Sequence, residues 1–308
     1  MISVVVPIFN EKDNVQKLHR EIFDVLKKLG RPFEIIFIND GSSDGTDGVL
    51  KQLSPLTVIT FRKNFGQTAA LDAGFKQAKG TYIIALDGDG QDDPTDIPLL
   101  IQHLEDTKLD VVSGWRKNRQ DNKSKRLSSF LAAIVRRFLI NDGIHDSGCT
   151  FKIYRKECFE EVDLYGEMHR FIPAVLKIKG FTVGEIVVNH RPRLAGITKY
   201  NWKRGVKGIL DMVSVWFWKK FANRPLHLFG TTGVVIGLFA FIFFITAVLQ
   251  KFISDIDLSG NPFFLISLFG VVMGMQFVVF GLLADILSKN YYASRKETAY
   301  VIKEVTQK

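Results

Sequence analysis

Two stretches of this chain carry no charged side chain, residues 228–249 and residues 262–284. Each exceeds the roughly 18 apolar residues that mark a membrane span. Lipid offers no water to satisfy a backbone, so each stretch reads as a helix that bonds within itself. Residues 226–288 are therefore expected to form a two-helix transmembrane hairpin closed by residues 250–261. Lys219, Lys220 and Arg224 precede it, and Lys289, Arg295 and Lys296 follow it; the connection holds Lys251 beside Asp255 and Asp257. Basic flanks favour the cytoplasmic side, which places both chain ends, including the tail at 289–308, in the cytoplasm of a multi-pass protein of the cell (inner) membrane. Gly233 with Gly237 and Gly270 with Gly274 are small-xxx-small pairs. They let helices approach closely, either within the hairpin or between subunits.

The 308 residues exceed what one core usually fills. A net charge of +9 suggests acidic partners: nucleic acid, phosphates or an anionic membrane surface. The two cysteines, Cys149 and Cys158, have no metal-type spacing and make a disulfide framework improbable. That points to a reduced, cytosolic-facing part. Met1 to Pro7 lacks a basic leader and a cleavage site, and reads as a first strand.

From there apolar runs alternate with helical periodicity. Strands are expected at 2–8, 33–38, 57–61 and 82–86, with helices at 13–29, from about 46 to 53, and at 68–79. This α/β alternation predicts a parallel sheet covered on both faces. The run ending at Leu86 leads into Asp87-Gly88-Asp89-Gly90-Gln91-Asp92-Asp93-Pro94. Two carboxylates two residues apart on an extended chain point the same way. They suit a hard cation such as Mg2+ or Mn2+, which can hold a diphosphate. Alone, the stretch would equally read as a surface acidic turn. However, Asn10 and Glu11, Asp40, and Asp87 with Asp89 all follow strands, and ligands bind at the carboxyl edge of such sheets.

Further along, short strands are expected at 110–114 and 181–188, and residues 166–171 open a helix. Residues 115–126 are strongly basic, with Arg116, Lys117, Arg119, Lys123, Lys125 and Arg126. Residues 127–140 put Leu127, Leu131, Ile134 and Phe138 on one face, which reads as a helix lying on a bilayer or packed on the sheet. His145 to Lys152 is a polar loop entering a short strand. His190 to Tyr200 is a basic, glycine-containing arm. Residues 201–225 read as an interfacial helix with Trp202, Trp216 and Trp218. The chain thus divides into a catalytic part at 1–200, the interfacial helix, the hairpin and the tail.

Val4-Val5-Val6-Pro7-Ile8-Phe9-Asn10-Glu11, Asn39-Asp40-Gly41-Ser42-Ser43-Asp44-Gly45-Thr46, Asn64-Phe65-Gly66-Gln67, Asp72-Ala73-Gly74 and Asp87-Gly88-Asp89-Gly90-Gln91-Asp92 resemble the motifs of family-two glycosyltransferases. The closer resemblance, over nearly the whole chain, is to the polyprenyl-phosphate glycosyltransferases. It implies a Rossmann-like GT-A domain, a UDP- or GDP-sugar donor, Mg2+ or Mn2+, and inverting transfer to a polyprenyl phosphate. It assigns Pro7, Asn10, Glu11, Asp40, Asp72, Asp87 and Asp89 to the nucleotide-sugar and Asp87, Asp89 and Gln91 to the metal. The stretch Arg191 to Tyr200 resembles the family's phosphate clamp. Asp146 falls where related sequences carry an acid near the acceptor, and could instead cap a loop. Asp89, Asp146, Arg191 and Lys199 are thus the expected catalytic set.

A phosphate monoester is already an anion at neutral pH and needs no strong base to attack. Such a site must hold two anions in line, by positioning and charge. Arg116 and Arg126 are candidates for the acceptor phosphate because guanidinium forks match its oxygens, unless they contact the membrane surface. Arg170 either joins them or caps a helix. His145, His169 and His190 stand singly, and Cys149 reads as packing. A processive polysaccharide synthase would need more spans and a Gln-x-x-Arg-Trp-type motif. A transferase acting on another lipid, or a non-catalytic membrane scaffold, are the other readings; the scaffold is opposed by the intact acidic motif. No nucleic-acid-reading element is evident. The resemblance and the glycine pairs leave room for a homo-oligomer, a dimer or a tetramer.

Overall fold

The computed structural model describes residues 1–117, 143–160, 162, 164, 168–192, 213, 215–217, 220–221 and 224–295. The chain forms two compact units, Met1–Trp216 and Phe217–Lys308. Arg126, Lys199, the expected interfacial helix at 127–140, most of that at 201–225 and the end of the tail lie outside the described residues.

The first unit is built on β1 (Ile2–Ile8). Its near-continuous β-branched run is the signature of a strand buried on both faces. It pairs in parallel with β2 (Phe33–Asn39) and β4 (Tyr82–Ala85). With β3 (Thr57–Thr60), β5 (Val111–Trp115), β6 (Lys152–Arg155) and β7 (Val183–Val187), the seven strands take the order β3-β2-β1-β4-β6-β5-β7. The strands expected to end in polar residues, β2, β1 and β4, are neighbours, so their carboxyl ends share one edge.

One face of the sheet is covered by α1 (Val15–Leu29) and α4 (Ile97–Thr107). There Val4 and Val6 meet Leu18, Ile22, Leu100 and Leu104. Leu18, Ile22 and Leu26 repeat every four residues, which puts them on one stripe of α1. Truncating fully buried Ile22 to Ala would cost about 2–5 kcal/mol. Gly30, at φ 67°, ends the helix in the left-handed conformation glycine adopts without strain. The opposite face is covered by α3 (Gln67–Gln77) and α5 (Ile172–Ile178), where Val5 and Ile36 meet Leu71, Phe75 and Leu176.

The sheet departs from the all-parallel expectation at β6, which runs antiparallel to both β4 and β5. Alternation of apolar and polar residues carries no strand direction. One helical segment is also shorter than expected, and another opens differently. Helix α2 covers only Thr46–Leu50, and the helix expected to open at 166–171 begins as a 3-10 turn at Met168–Arg170 that leads into α5.

In the second unit, α6 (Pro225–Ser254) and α7 (Pro262–Arg295) are each long and apolar enough to cross a membrane. The glycine pairs lie between these two helices. A Cβ on Gly233 would come 2.5 Å from the Gly274 carbonyl oxygen, and one on Gly270 2.7 Å from Ala240 Cβ. The small residues therefore serve the hairpin's own packing. Large apolar side chains such as Phe252, Phe269 and Leu287 point outward and are exposed. At the connection, Asn261 Oδ1 accepts the Phe263 N–H at 2.9 Å, and its amide donates to Gln250 Oε1 at 2.9 Å. This bond ties the start of α7 to the end of α6.

Candidate active site

The loops after β1 and β2 interlock through polar side chains that need a specific backbone. Asn10 takes a left-handed φ of 55°, uncommon outside glycine but tolerated by asparagine. Its N–H donates to Ser42 Oγ at 2.9 Å, and its Oδ1 accepts the Ser43 N–H at 2.8 Å. The Glu11 N–H donates to Thr46 Oγ1 at 3.2 Å, and Glu11 Oε2 accepts from Asn14 Nδ2 at 2.6 Å. Gly41 has φ 68°, and a Cβ there would lie 2.4 Å from the Lys63 carbonyl carbon. Buried Asp40 accepts the Phe65 and Gly66 N–H groups at 2.6 and 2.9 Å. The residues expected to line the nucleotide pocket are thus tied into one rigid rim. Pro7 instead touches the acidic turn: its carbonyl oxygen would lie 2.8 Å from a Cβ on Gly88. Asp72 lies on α3, where it accepts the Leu164 N–H at 3.1 Å and pairs with Lys76 at 2.9 Å. These bonds go to neither the rim nor the acidic residues.

After β4 the chain turns instead of staying extended. Gly90, at φ 71°, sits within the turn. The Gln91 N–H donates to Asp89 Oδ1 at 3.1 Å. Asp87 Oδ1 accepts from Gln67 Nε2 at 2.8 Å. Behind them, buried Asp92 accepts the Asp87 N–H at 3.1 Å. Burial first, then the charge of Asp89, raises the Asp87 carboxyl above its ordinary value. Burial and the charge of Asp87 push Asp92 up to about 7. Such shifts mark negative charge short of compensation.

Two cations face this turn, a half-buried arginine and a buried lysine. Arg116, at the end of β5, forks onto Asp146, with Nε to Oδ2 at 2.7 Å and Nη2 to Oδ1 at 3.0 Å. Burial works against the guanidinium charge, but the Asp146 bonds hold Arg116 above its ordinary value. Lys152 is buried at the start of β6, opposite Ala85 of β4. Its ammonium donates to the carbonyl oxygens of Cys149 and Ser147. Arg116 and Lys152 both lower the Asp87 carboxyl electrostatically. Asp146 and Arg116, expected separately, are therefore brought together beside Asp87.

Arg191 takes a different place. Its Nη1 donates to Glu21 Oε2 at 2.8 Å and its Nη2 to Asp93 Oδ1 at 2.5 Å. The Arg191 N–H donates to the Gln91 carbonyl at 2.8 Å, and the Gln91 amide lies 3.4 Å from the Arg191 carbonyl. Asn189 adds two bonds to buried Asp96, at 2.6 and 2.9 Å. The first residues of the basic arm are thus strapped to the acidic turn. Arg170 closes the 3-10 turn Met168–Arg170, half-buried, next to His169, whose Nδ1 lies 2.8 Å from Thr68 Oγ1. Asp92, Gln67, Lys152 and the strap acids Glu21 and Asp93 are site residues that sequence reasoning did not assign. Gln67 and Asp92 stand within the recognisable motifs; a lone lysine and a helix-surface glutamate carry no comparable signal.

Among the described residues no three His, Cys, Asp or Glu side chains form a ready-made metal cage. Asp87 and Asp89 are hard oxygen donors in a locally over-negative turn. That donor set fits a Mg2+ or Mn2+ which keeps its other positions for water and diphosphate oxygens.

Comparison with known proteins gives the same direction. The family model described as glycosyl transferase family 2 matches residues 3–163. The chain is 34% identical to dodecaprenyl-phosphate galacturonate synthase of Rhizobium johnstonii, covering 99% of this chain and 92% of that protein. It is 30% identical to undecaprenyl-phosphate 4-deoxy-4-formamido-L-arabinose transferase of Pseudomonas savastanoi pv. phaseolicola, covering 99% and 91%. Glucosyl-3-phosphoglycerate synthase from Mycobacterium tuberculosis, solved with Mg2+ and uridine diphosphate, shares the fold. Its TM-score is 0.56 at 14% identity, covering 71% of this chain and 79% of that one. The chain belongs to glycosyl transferase family 2 and is a glycosyltransferase of the GT-A fold.

Proposed function

We propose that this protein is a membrane-bound, inverting glycosyltransferase that moves a sugar from a UDP- or GDP-linked donor to a polyprenyl phosphate. The observation that carries this is the extent of the likeness: 99% of the chain, apolar hairpin included, aligns with relatives named for polyprenyl-phosphate sugars. The hairpin supports a lipid acceptor because it brings the chain to the membrane where such a phosphate resides. The basic flanks favour a catalytic unit and both termini on the cytoplasmic side.

The site chemistry fits. The interlocked rim of Asn10, Glu11 and Asp40 is suited to hold the nucleotide without reorganising. Asp87, Asp89 and Gln91 are assigned to a divalent cation; when bound, Mg2+ or Mn2+ would offset charge growing on the leaving nucleoside diphosphate. The acceptor phosphate attacks the anomeric carbon as an anion, so the chain's task is alignment. Arg116 offers a guanidinium, pre-set by Asp146, towards that phosphate, and Arg126 and Arg170 are assigned to it by their place in the sequence. Lys199 and the basic arm are assigned to the donor phosphates. Arg191 serves this assignment by anchoring the arm to the acidic turn.

The test is product analysis. Protein in lipid, with Mg2+ or Mn2+ and a short polyprenyl phosphate, is given a panel of UDP- and GDP-sugars. A lipid product of sugar-phosphate mass, with its anomeric configuration inverted relative to the donor, is expected with one of them. Retention of configuration would overturn the direct displacement, and transfer only to another acceptor would overturn the lipid assignment.

A further inference from the structure

The cation beneath the acidic site is unusual in its surroundings. Lys152 is 1% exposed, a place lysine seldom occupies unless its charge is answered. None of the described carboxylates makes a direct ion pair with it. Its ammonium instead bonds the carbonyl oxygens of Ser147 and Cys149, which follow directly on Asp146. Lys152 is at the same time fixed in the sheet, paired with Ala85 of β4 on one side and Ser113 of β5 on the other. Those two strands lead to Asp87 and to Arg116. A single side chain thus links the turn after Asp146 to the strands that carry the other charged groups.

We infer that Lys152 is a positioning residue, whose buried ammonium braces the 147–149 turn and so sets Asp146 to hold the Arg116 fork beside Asp87. The inference deepens the proposed transfer, and its kinetic consequence rests on that reading. Asp146 and Arg116 fork bidentately, with little tolerance for a displaced loop. A shift near 1 Å in such a group costs up to about 100-fold in rate. The rim that holds the nucleotide lies on β1 and β2, away from β5 and β6, so donor binding should survive loss of the brace.

Two measurements test this. Lys152→Met keeps the length of the side chain and removes the charge and donors. It is expected to lower kcat by about 10- to 100-fold with donor KM changed less than about threefold. In the double variant with Asp146→Asn, the loss should be no greater than that of Asp146→Asn alone, because both act through one fork. Lys152→Arg, which keeps the charge and donors, should recover part of the rate. Losses that multiply, or a change confined to KM, would overturn the inference.

The second measurement needs no turnover, so it stands apart from failure of the transferase reading. Cys149 lies in the braced turn, fully buried, and burial pushes its thiol up to about 12. Cys158 is buried elsewhere and serves as an internal control. In Lys152→Met, maleimide labelling of Cys149 should accelerate about tenfold or more while Cys158 stays protected, because only the local turn opens. Unchanged protection of Cys149 would overturn the inference. Equal acceleration at both cysteines, in the Met and the Arg variants alike, would also overturn it, since that reports a general loss of the core. If wild-type protein transfers no sugar to the polyprenyl phosphate yet the labelling pattern holds, the brace stands and the lipid-acceptor reading falls.

Discussion

The backbone N–H of Asp87 donates to the Asp92 carboxylate at 3.1 Å. The turn that presents Asp87 and Asp89 is thus tied from behind by a third acid, which is buried and shares their charge. That arrangement is poor for the folded chain on its own and well suited to one that binds a cation.

The carboxyl of Asp92 is pushed up to about 7 by burial and by Asp87, against an ordinary value near 4. Between those values the unfolded chain has released the proton and the folded chain still holds it. Metal-free protein should therefore lose stability as pH rises from about 4 to about 7, then level off. Thermal unfolding with a chelator present, across that range, measures the slope; Asp92→Asn should flatten it. Equal slopes in the two proteins would show that Asp92 titrates as an ordinary acid.

Asp89→Ala removes an oxygen donor from the acidic turn, where it accepts the Gln91 N–H. Metal-dependent turnover should fall by at least about 100-fold, with little change in melting temperature. Manganese binding followed by electron paramagnetic resonance separates lost coordination from lost folding. Full activity in this variant would remove the metal assignment.

Gly41→Ala tests the rim. The new Cβ would meet the Lys63 backbone at 2.4 Å with φ at 68°. A backbone contact of that kind cannot be relieved by a rotamer change. We expect a loss of about 2 kcal/mol or more in stability, together with weaker nucleotide binding by calorimetry. A variant as stable as wild type would mean that the Gly41 and Lys63 loops are free to separate.

Gly233→Leu tests the hairpin. A side chain there runs into the Gly274 carbonyl oxygen, so α6 and α7 must part or the chain must misassemble. Spin labels placed at the exposed positions Val234 of α6 and Val279 of α7 should report one narrow distance in the parent and a longer or broader one in the Gly233→Leu background. An unchanged distance would show that the two helices do not depend on this contact.

Much of the architecture was legible because burial on both faces leaves a plain mark. Val4-Val5-Val6 could only be a central strand, and the acids after β1, β2 and β4 gather because those strands are adjacent. The direction of β6 was not legible, since side-chain alternation is the same for either direction. The partners of the polar residues were hidden for a different reason. Arg191 reads in sequence as a phosphate ligand, but its guanidinium meets Glu21, which comes from α1 and is distant in the chain. The resemblance assigns Asp40 to the nucleotide-sugar, and both its oxygens also accept main-chain N–H groups of the loop after β3. Residue type announces charge; only the fold decides which opposite charge or amide it meets.

The central claim is transfer to a lipid phosphate, and its most direct measurement is nucleoside diphosphate release from purified protein in lipid bilayers. Release is predicted to require both a polyprenyl phosphate and Mg2+ or Mn2+ with one of the UDP- or GDP-sugars, and to cease when either is withheld. Release that continues at the same rate without the polyprenyl phosphate would contradict the account.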